Sequence, residues 1–171
     1  MTNESLKPAP SAAPDVAGKY LTFKLGHESY GVTVLKVREI IRLQALTLVP
    51  QMPRHIKGVL NLRGKIVPVI DLRLKFGLTE IRDTEHTCIV VVQVAAPTQT
   101  VITMGVIVDG VEEVLQIAAA DIEPAPEFGA QVDTQYILGM AKIKDTVKIL
   151  LDVNRVVTAE NIELLNQKFP S

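Results

Sequence analysis

Few side chains in this 171-residue chain could carry chemistry, and their spacing argues against it. His27, His55 and His86 fall in three separate predicted turns or loops. A zinc site usually draws two ligands from one short stretch, as in His-x-x-x-His, and no such pair occurs. Of Ser5, Ser11, Ser29 and Ser171, only Ser29 lies inside the patterned region, and no Gly-x-Ser-x-Gly elbow surrounds it. Cys88 follows His86 by two residues, and such positions share a face of a strand, so the two could touch. A cysteine nucleophile also needs an orienting third group and an oxyanion site, and neither can be named. Carboxylates gather at Asp109, Glu112 and Glu113, and again at Asp121, Glu123 and Glu127, where an acid–base pair is conceivable. Residues 112 and 113 point to opposite sides of a strand, so a solvated acidic face is the better reading. The glycines occur singly and form neither a phosphate loop nor a dinucleotide fingerprint. The expectation is therefore no catalytic residue, no metal, no cofactor and no small-molecule substrate; an enzyme with an unrecognised site is the minor alternative.

Bulk properties narrow the partners. The chain carries 18 basic and 19 acidic residues, a net charge of -1, so it has no basic excess with which to neutralise nucleic-acid phosphates. Hydrophobic residues make up 47% while aromatics are only 4% and tryptophan is absent, and the remainder is rich in Val and Ile, which favour strands. Cys88 stands alone and cannot form an internal disulfide; it reads as a buried thiol in a reducing compartment. No apolar run approaches the roughly 20 residues that span a bilayer, and the N-terminus lacks a signal-peptide pattern. A soluble cytoplasmic protein without membrane insertion is expected.

The elements that would position any functional residue are short strands. Residues 1–18, with three prolines and no periodicity, read as a flexible tail. "YLTFKL" (20–25) alternates as a strand does. "YGVTVLKVREIIRL" (30–43) begins as a strand, although Val34, Val37 and Ile41 also fit a helical stripe. "IKGVLNLRGKIVPVIDLRLKFG" (56–77) reads as a hairpin about Arg63-Gly64, followed by one helical turn that Gly77 stops. A polar linker covers 78–86. "TCIVVVQVAA" and "VITMGVIVDGVEEVLQI" are strand-like, 118–135 is a long loop with one helical turn near its start, and "YILGMAKIKDTVKILLDV" (136–153) is a second hairpin turning at Lys144-Asp145. A terminal helix is expected over about 156–168, with Thr158 as its cap.

The chain repeats itself. "YGVTVLKVREII" aligns with "MGVIVDGVEEVL", placing Gly31 on Gly105, Val34 on Val108, Glu39 on Glu113 and Ile40 on Val114. "IKGVLNLRGKIVPVIDL" aligns with "ILGMAKIKDTVKILLDV", placing Gly58 on Gly139, Arg63 on Lys144, Ile66 on Val147 and Asp71 on Asp152. Two small β-rich subdomains follow, about 19–80 and 81–153, each with four or five strands and suited to a small barrel. The first hairpin adds a puzzle. Indexed on its turn, it pairs Leu62 with Lys65, Leu60 with Val67 and Gly58 with Val69. Leu60, Leu62, Val67 and Val69 then share one face, and Val59, Ile66 and Ile70 share the other. Both faces are apolar, Pro68 marks an edge or bulge, and an edge apolar on both sides is either covered or used for binding. A groove between two barrels is a natural place for that.

These segments, together with "PAPEF" (124–128), resemble the CheW family of chemotaxis coupling proteins over about 19–165. No receiver domain and no kinase catalytic domain accompanies them, unlike CheV-type couplers or the CheA kinase, whose regulatory domain shares the fold. The resemblance implies a mainly β fold of two SH3-like five-stranded barrels with short helices. It implies a non-enzymatic adaptor that binds the cytoplasmic tip of chemoreceptors and the regulatory domain of a CheA-type histidine kinase, in the cytoplasm, recruited to receptor arrays. A coupler for a non-flagellar pathway such as pilus motility is the alternative within that class. Carried over, receptor contacts fall on Val37, Glu39, Ile40, Gly58 and Arg63, with an Arg63–Glu39 ion pair at the rim of the groove. Kinase contacts fall around Gly105, Val106 and Val108, with a second, weaker kinase contact on the first subdomain.

Overall fold

The computed structural model describes residues 16–95, 100–125 and 134–157. The first repeat supplies β1 (Gly18–Leu25), β2 (Glu28–Thr33), β3 (Val37–Arg42), β4 (Ile56–Leu62), β5 (Lys65–Asp71) and the short helix α1 (Leu72–Lys75). The second supplies β6 (Cys88–Ala95), β7 (Val101–Val108), β8 (Gly110–Ile117), β9 (Ile122–Glu123), β10 (Ile137–Ile143), β11 (Thr146–Leu151) and α2 (Val153–Val156). The ambiguous stretch 34–41 is settled as a single 3-10 turn, Val34–Lys36, whose Leu35 N–H is capped by the Thr33 hydroxyl, followed by strand. Of the expected tail, residues 1–15 lie outside the described residues, but Val16 is buried and its carbonyl accepts a hydrogen bond from the Tyr20 hydroxyl, so ordered structure begins before residue 19. Most of the expected terminal helix likewise lies outside the described residues.

Two sheets form, and neither belongs to one repeat. One has the order β8-β1-β2-β11-β10-β9 and the other β3-β6-β7-β5-β4. By the sequence repeat, β1 corresponds to β6, β2 to β7, β3 to β8, β4 to β10 and β5 to β11. The second sheet then maps strand for strand onto the first five strands of the other. Each barrel is built from three strands of one repeat and the leading pair of the other, with the short β9 as a sixth strand in one of them. The expected division into contiguous subdomains near residue 80 is corrected accordingly.

The join explains the Gly-Val signature. β5 runs parallel to β7, with Val69 opposite Gly105, and β11 runs parallel to β2, with Leu150 opposite Gly31. A Cβ on Gly105 would stand 2.8 Å from Ile89 Cγ2 of its own repeat and 3.3 Å from Val69 Cγ2 of the other, and one on Gly31 would stand 3.1 Å from Leu150 Cδ2. The missing side chain is what lets the hairpin of one repeat pack across the strand of the other.

Burial follows from this interleaving. Leu60, Val69, Ile89, Val91 and Ile107 fill one barrel, and Tyr20, Ile117, Ala141 and Leu150 fill the other. The largest core lies between the barrels and includes Leu21, Phe23, Ile56, Ile70, Val90, Val92, Met104, Val106, Val108 and Leu151. The first hairpin is apolar on both faces because Leu60 and Val69 turn into their own barrel while Ile56 and Ile70 turn into the inter-barrel core. Its register is the one its turn residues dictate. Pro68 sits just before the β5–β7 ladder begins at Val69, where its missing N–H costs no ladder bond. Ile66 departs from expectation: at the hairpin's far end it outruns the cover and is 58% exposed.

Each barrel is closed by a segment crossing its last hairpin. Thr47 bridges Val59, and β9 pairs with β10 at Glu123–Met140. Both crossings run over a glycine, Gly58 in one barrel and Gly139 in the other, which is why the repeat preserves them.

Candidate functional site

β3 and β8 are the repeat-equivalent terminal strands of the two sheets. Residues paired directly across a ladder share a face. Ile40 pairs with Val90, and Val114 pairs with Leu21; both partners lie in the inter-barrel core. Ile40 and Val114 therefore continue that core outward past its cover, and they are 45% and 55% exposed. The core thus ends in two apolar lips, one on each barrel. The β3 lip is flanked by the cations Arg38 and Arg42, with Arg38 held by Gln93. The β8 lip is flanked by Glu112, which accepts from Ser29 and faces Lys148.

On the opposite face of β3, one residue away, the Glu39 carboxylate accepts a charge-assisted hydrogen bond from Arg63 Nη2. Arg63 stands at the hairpin tip with φ +51°, a left-handed conformation that a bulky residue adopts at a cost. Its partner, on the edge of β3, ties the tip across the seam of the barrel. Glu39, Ile40 and Arg63 are brought together around one sheet edge, and Val37 packs partly into the inter-barrel core beside them.

Two other groups of expected contact residues are placed differently. Gly58 is buried, and a Cβ there would meet the Thr47 carbonyl oxygen at 2.1 Å. The close backbone approach that a glycine signals is real, but the approaching backbone is this chain's own. Gly105, Val106 and Val108 lie on β7 between β6 and β5 and are all buried. They cannot touch a partner in the folded protein and are core residues, because β7 is an interior strand of the exchanged sheet. Besides Leu35, Leu48 and Val101, the exposed large apolar side chains among the described residues are Ile40 and Ile66 on one barrel and Val114 and Val147 on the other. The sequence held a signal for them: the repeat pairs Ile40 with Val114 and Ile66 with Val147.

The remaining polar positions among the described residues are structural or solvent-facing. No group of three or more metal-ligating side chains occurs among the described residues. Burial pushes the Cys88 thiol above its ordinary range, with a backbone hydrogen bond at Val111 opposing, which is the reverse of what a nucleophile needs. His86 is exposed and faces Glu85. The buried ionic cluster around Arg73 is structural. Arg73 donates to both Asp71 oxygens at 2.9 Å, to Asp83 at 2.9 Å and to Asp109 at 3.2 Å. Burial alone would lower its guanidinium, but these three carboxylates hold it above the usual value. With its donors so committed it has nothing to offer a ligand. Asp71 and the repeat-equivalent Asp152 also cap the short helices, accepting from the N–H groups of Arg73 and Asn154.

No helix among the described residues is long and apolar enough to cross a membrane. The family model for the CheW-like domain matches residues 19–161. The chain is 39% identical to the chemotaxis protein CheW of Klebsiella aerogenes, over 91% of this chain and 90% of that one. It is 34% identical to CheW of Bacillus subtilis, over 84% and 88%. The crystal structure of the scaffolding protein TtCheW from Thermoanaerobacter tengcongensis superposes with a TM-score of 0.75 at 30% identity, covering 94% of this chain and 96% of that one.

Proposed function

Because the chain belongs to the CheW-like domain family, we infer that it is a chemotaxis adaptor, a scaffold that couples chemoreceptors to a CheA-type histidine kinase. The observation that carries the site is the juxtaposition on β3 of exposed Ile40 with the Arg63–Glu39 pair, at the open end of the inter-barrel core. A receptor's cytoplasmic tip is a helical hairpin, and a helix presents apolar side chains at one-turn intervals to a groove of this kind. Val37 and Ile40 supply the apolar contact, and Glu39 and Arg63 fix the register. Gly58 contributes by holding the Thr47–Leu48 crossing in place. The kinase's regulatory domain is assigned the equivalent lip of the other barrel, Val114 with Val147, in place of Gly105, Val106 and Val108, which are buried in the β3-β6-β7-β5-β4 sheet. The protein works in the cytoplasm and reaches the membrane only through the receptors it binds.

A double-mutant cycle tests the receptor site. The pair is largely exposed, with side-chain accessibilities of 70% and 30%, so either alanine variant should cost folding at most ~1 kcal/mol. In a complex that covers β3, losing one partner leaves the other charge buried, at about 2–5 kcal/mol. Arg63→Ala and Glu39→Ala should each weaken receptor binding at least about 30-fold, and the charge-swapped double variant should recover part of it. Additive losses without recovery would mean that the two residues act separately.

A further inference from the structure

The interleaved sheets have a consequence for how copies of this chain can meet. Four ladders join the repeats to each other: β1–β8, β3–β6, β5–β7 and β2–β11. The covalent connection between the repeats is only the segment from α1 to β6. Leu78 is anchored by its N–H to the Arg73 carbonyl, and Thr87 is buried, but between them residues 79–86 form no helix or strand and are nearly all exposed. A cleft of about 730 Å³ lined by Gly26, His27 and residues 78–82 borders its first half, and one of about 590 Å³ beside Gly26, Glu85 and His86 borders its end. The contacts that hold this segment down are few: the Arg73–Asp83 ion pair, a weak bond from Arg73 to the Arg82 carbonyl at 3.4 Å, and a local turn at Thr84–Thr87.

We propose that residues 79–86 are a hinge across which the two repeats exchange between chains, so that a second copy of this chain is a partner in a strand-swapped dimer. Every ladder and all three cores are the same whether the second repeat comes from the same chain or from its neighbour. Only the hinge contacts change on exchange. Exchange of identical elements between protomers is cheap when so little is lost, and a short hinge favours it. Arg73 opposes it through Asp83, the hinge residue that it holds beside Asp71 and Asp109. The ionic cluster thereby fastens the hinge to the closed monomer. The exchanged dimer carries two complete copies of the β3 lip.

The test uses the full chain. Lys19 and Gln116 are exposed, directly opposed residues on β1 and β8, one from each repeat. They are changed to cysteine with Cys88→Ala, and the protein is unfolded in urea, refolded at graded concentrations, and bridged by oxidation or with a short bismaleimide. The expected result is a fraction of twice the chain mass that grows with refolding concentration and persists on dilution. Bridging should convert this fraction to a covalent dimer on a denaturing gel, because β1 of one chain pairs with β8 of the other. Deleting residues 79–82 should shift the population to that dimer at all concentrations. A twofold fraction whose bridges all lie within single chains is a surface dimer and overturns the proposal. Refolding solely to monomers at every soluble concentration overturns it too, whatever becomes of the deletion variant.

Discussion

Adding one methyl group to Gly58 tests the reading of how the first barrel closes. The Cβ of Gly58→Ala would stand 2.1 Å from the Thr47 carbonyl oxygen and 2.9 Å from its carbon, and the backbone φ is +141°, which an alanine adopts only under strain. The contact is with backbone, so no side-chain rotation relieves it. The strain costs about 1–3 kcal/mol. If Thr47 moves away instead, it loses both bonds of its bridge, Thr47 N–H to Val59 O and Val59 N–H to Thr47 O, each 2.9 Å. Each such bond contributes about 0.5–1.5 kcal/mol. The φ strain remains when Thr47 moves, so strain and lost bonds add to about 2–6 kcal/mol, a large share of the ~5–15 kcal/mol of an ordinary domain. For a chain of this size that corresponds to a fall in Tm of roughly 10 °C. Two controls calibrate the effect. Gly64 has φ +88° with nothing within 4 Å of its Cβ position, so Gly64→Ala should cost only about 1 kcal/mol of backbone strain. Gly139→Ala meets Ile122 Cγ2 at 2.6 Å and Glu123 O at 3.0 Å without positive φ, and should fall between, at about 1–3 kcal/mol. Urea unfolding of the three variants orders them. If Gly58→Ala proves as stable as Gly64→Ala, the crossing segment is not held as described.

Two further outcomes follow from buried groups. Arg73→Met should destabilise by about 3–5 kcal/mol, because it strands the Asp71 carboxylate, which is 1% exposed; Asp83→Asn, at a position 61% exposed, should cost under about 1 kcal/mol, and calorimetry separates the two. The Cys88 thiol, held protonated by burial, should react with iodoacetamide at pH 8 at least about tenfold more slowly in the folded protein than in urea; equal rates would show that the β6 end is open.

The local structure could be read from the sequence because each feature has a local cause. Arg63-Gly64 between apolar runs sets the β4–β5 register, alternation in "YLTFKL" marks β1, and Gly77 ends the helical turn that follows the first hairpin. The exchange of strands had no such cause. A repeat tells what each copy forms, but not which copy it pairs with, since Gly105 accommodates Val69 of the first repeat as Gly31 accommodates Leu150 of the second. Gly105, Val106 and Val108 were carried over from family resemblance alone, and the exchange of strands is what buries them in the core. The Arg63–Glu39 pair came from family resemblance rather than from spacing. The Arg73 cluster left no pattern, because two of its partners lie 10 and 36 residues away in loops without periodicity.

A chain that bridges receptor and kinase must reconstitute their coupling. Receptor cytoplasmic fragments, the cell's own CheA-type kinase and this chain are mixed, sedimented with receptor assemblies and assayed for kinase autophosphorylation. Receptor control of the kinase should require the chain. Ile40→Asp and Arg63→Ala should lose the receptor while still binding the kinase, and Val114→Asp should do the converse. Kinase control that is unchanged when the chain is left out, or a chain that binds neither partner, would contradict the account.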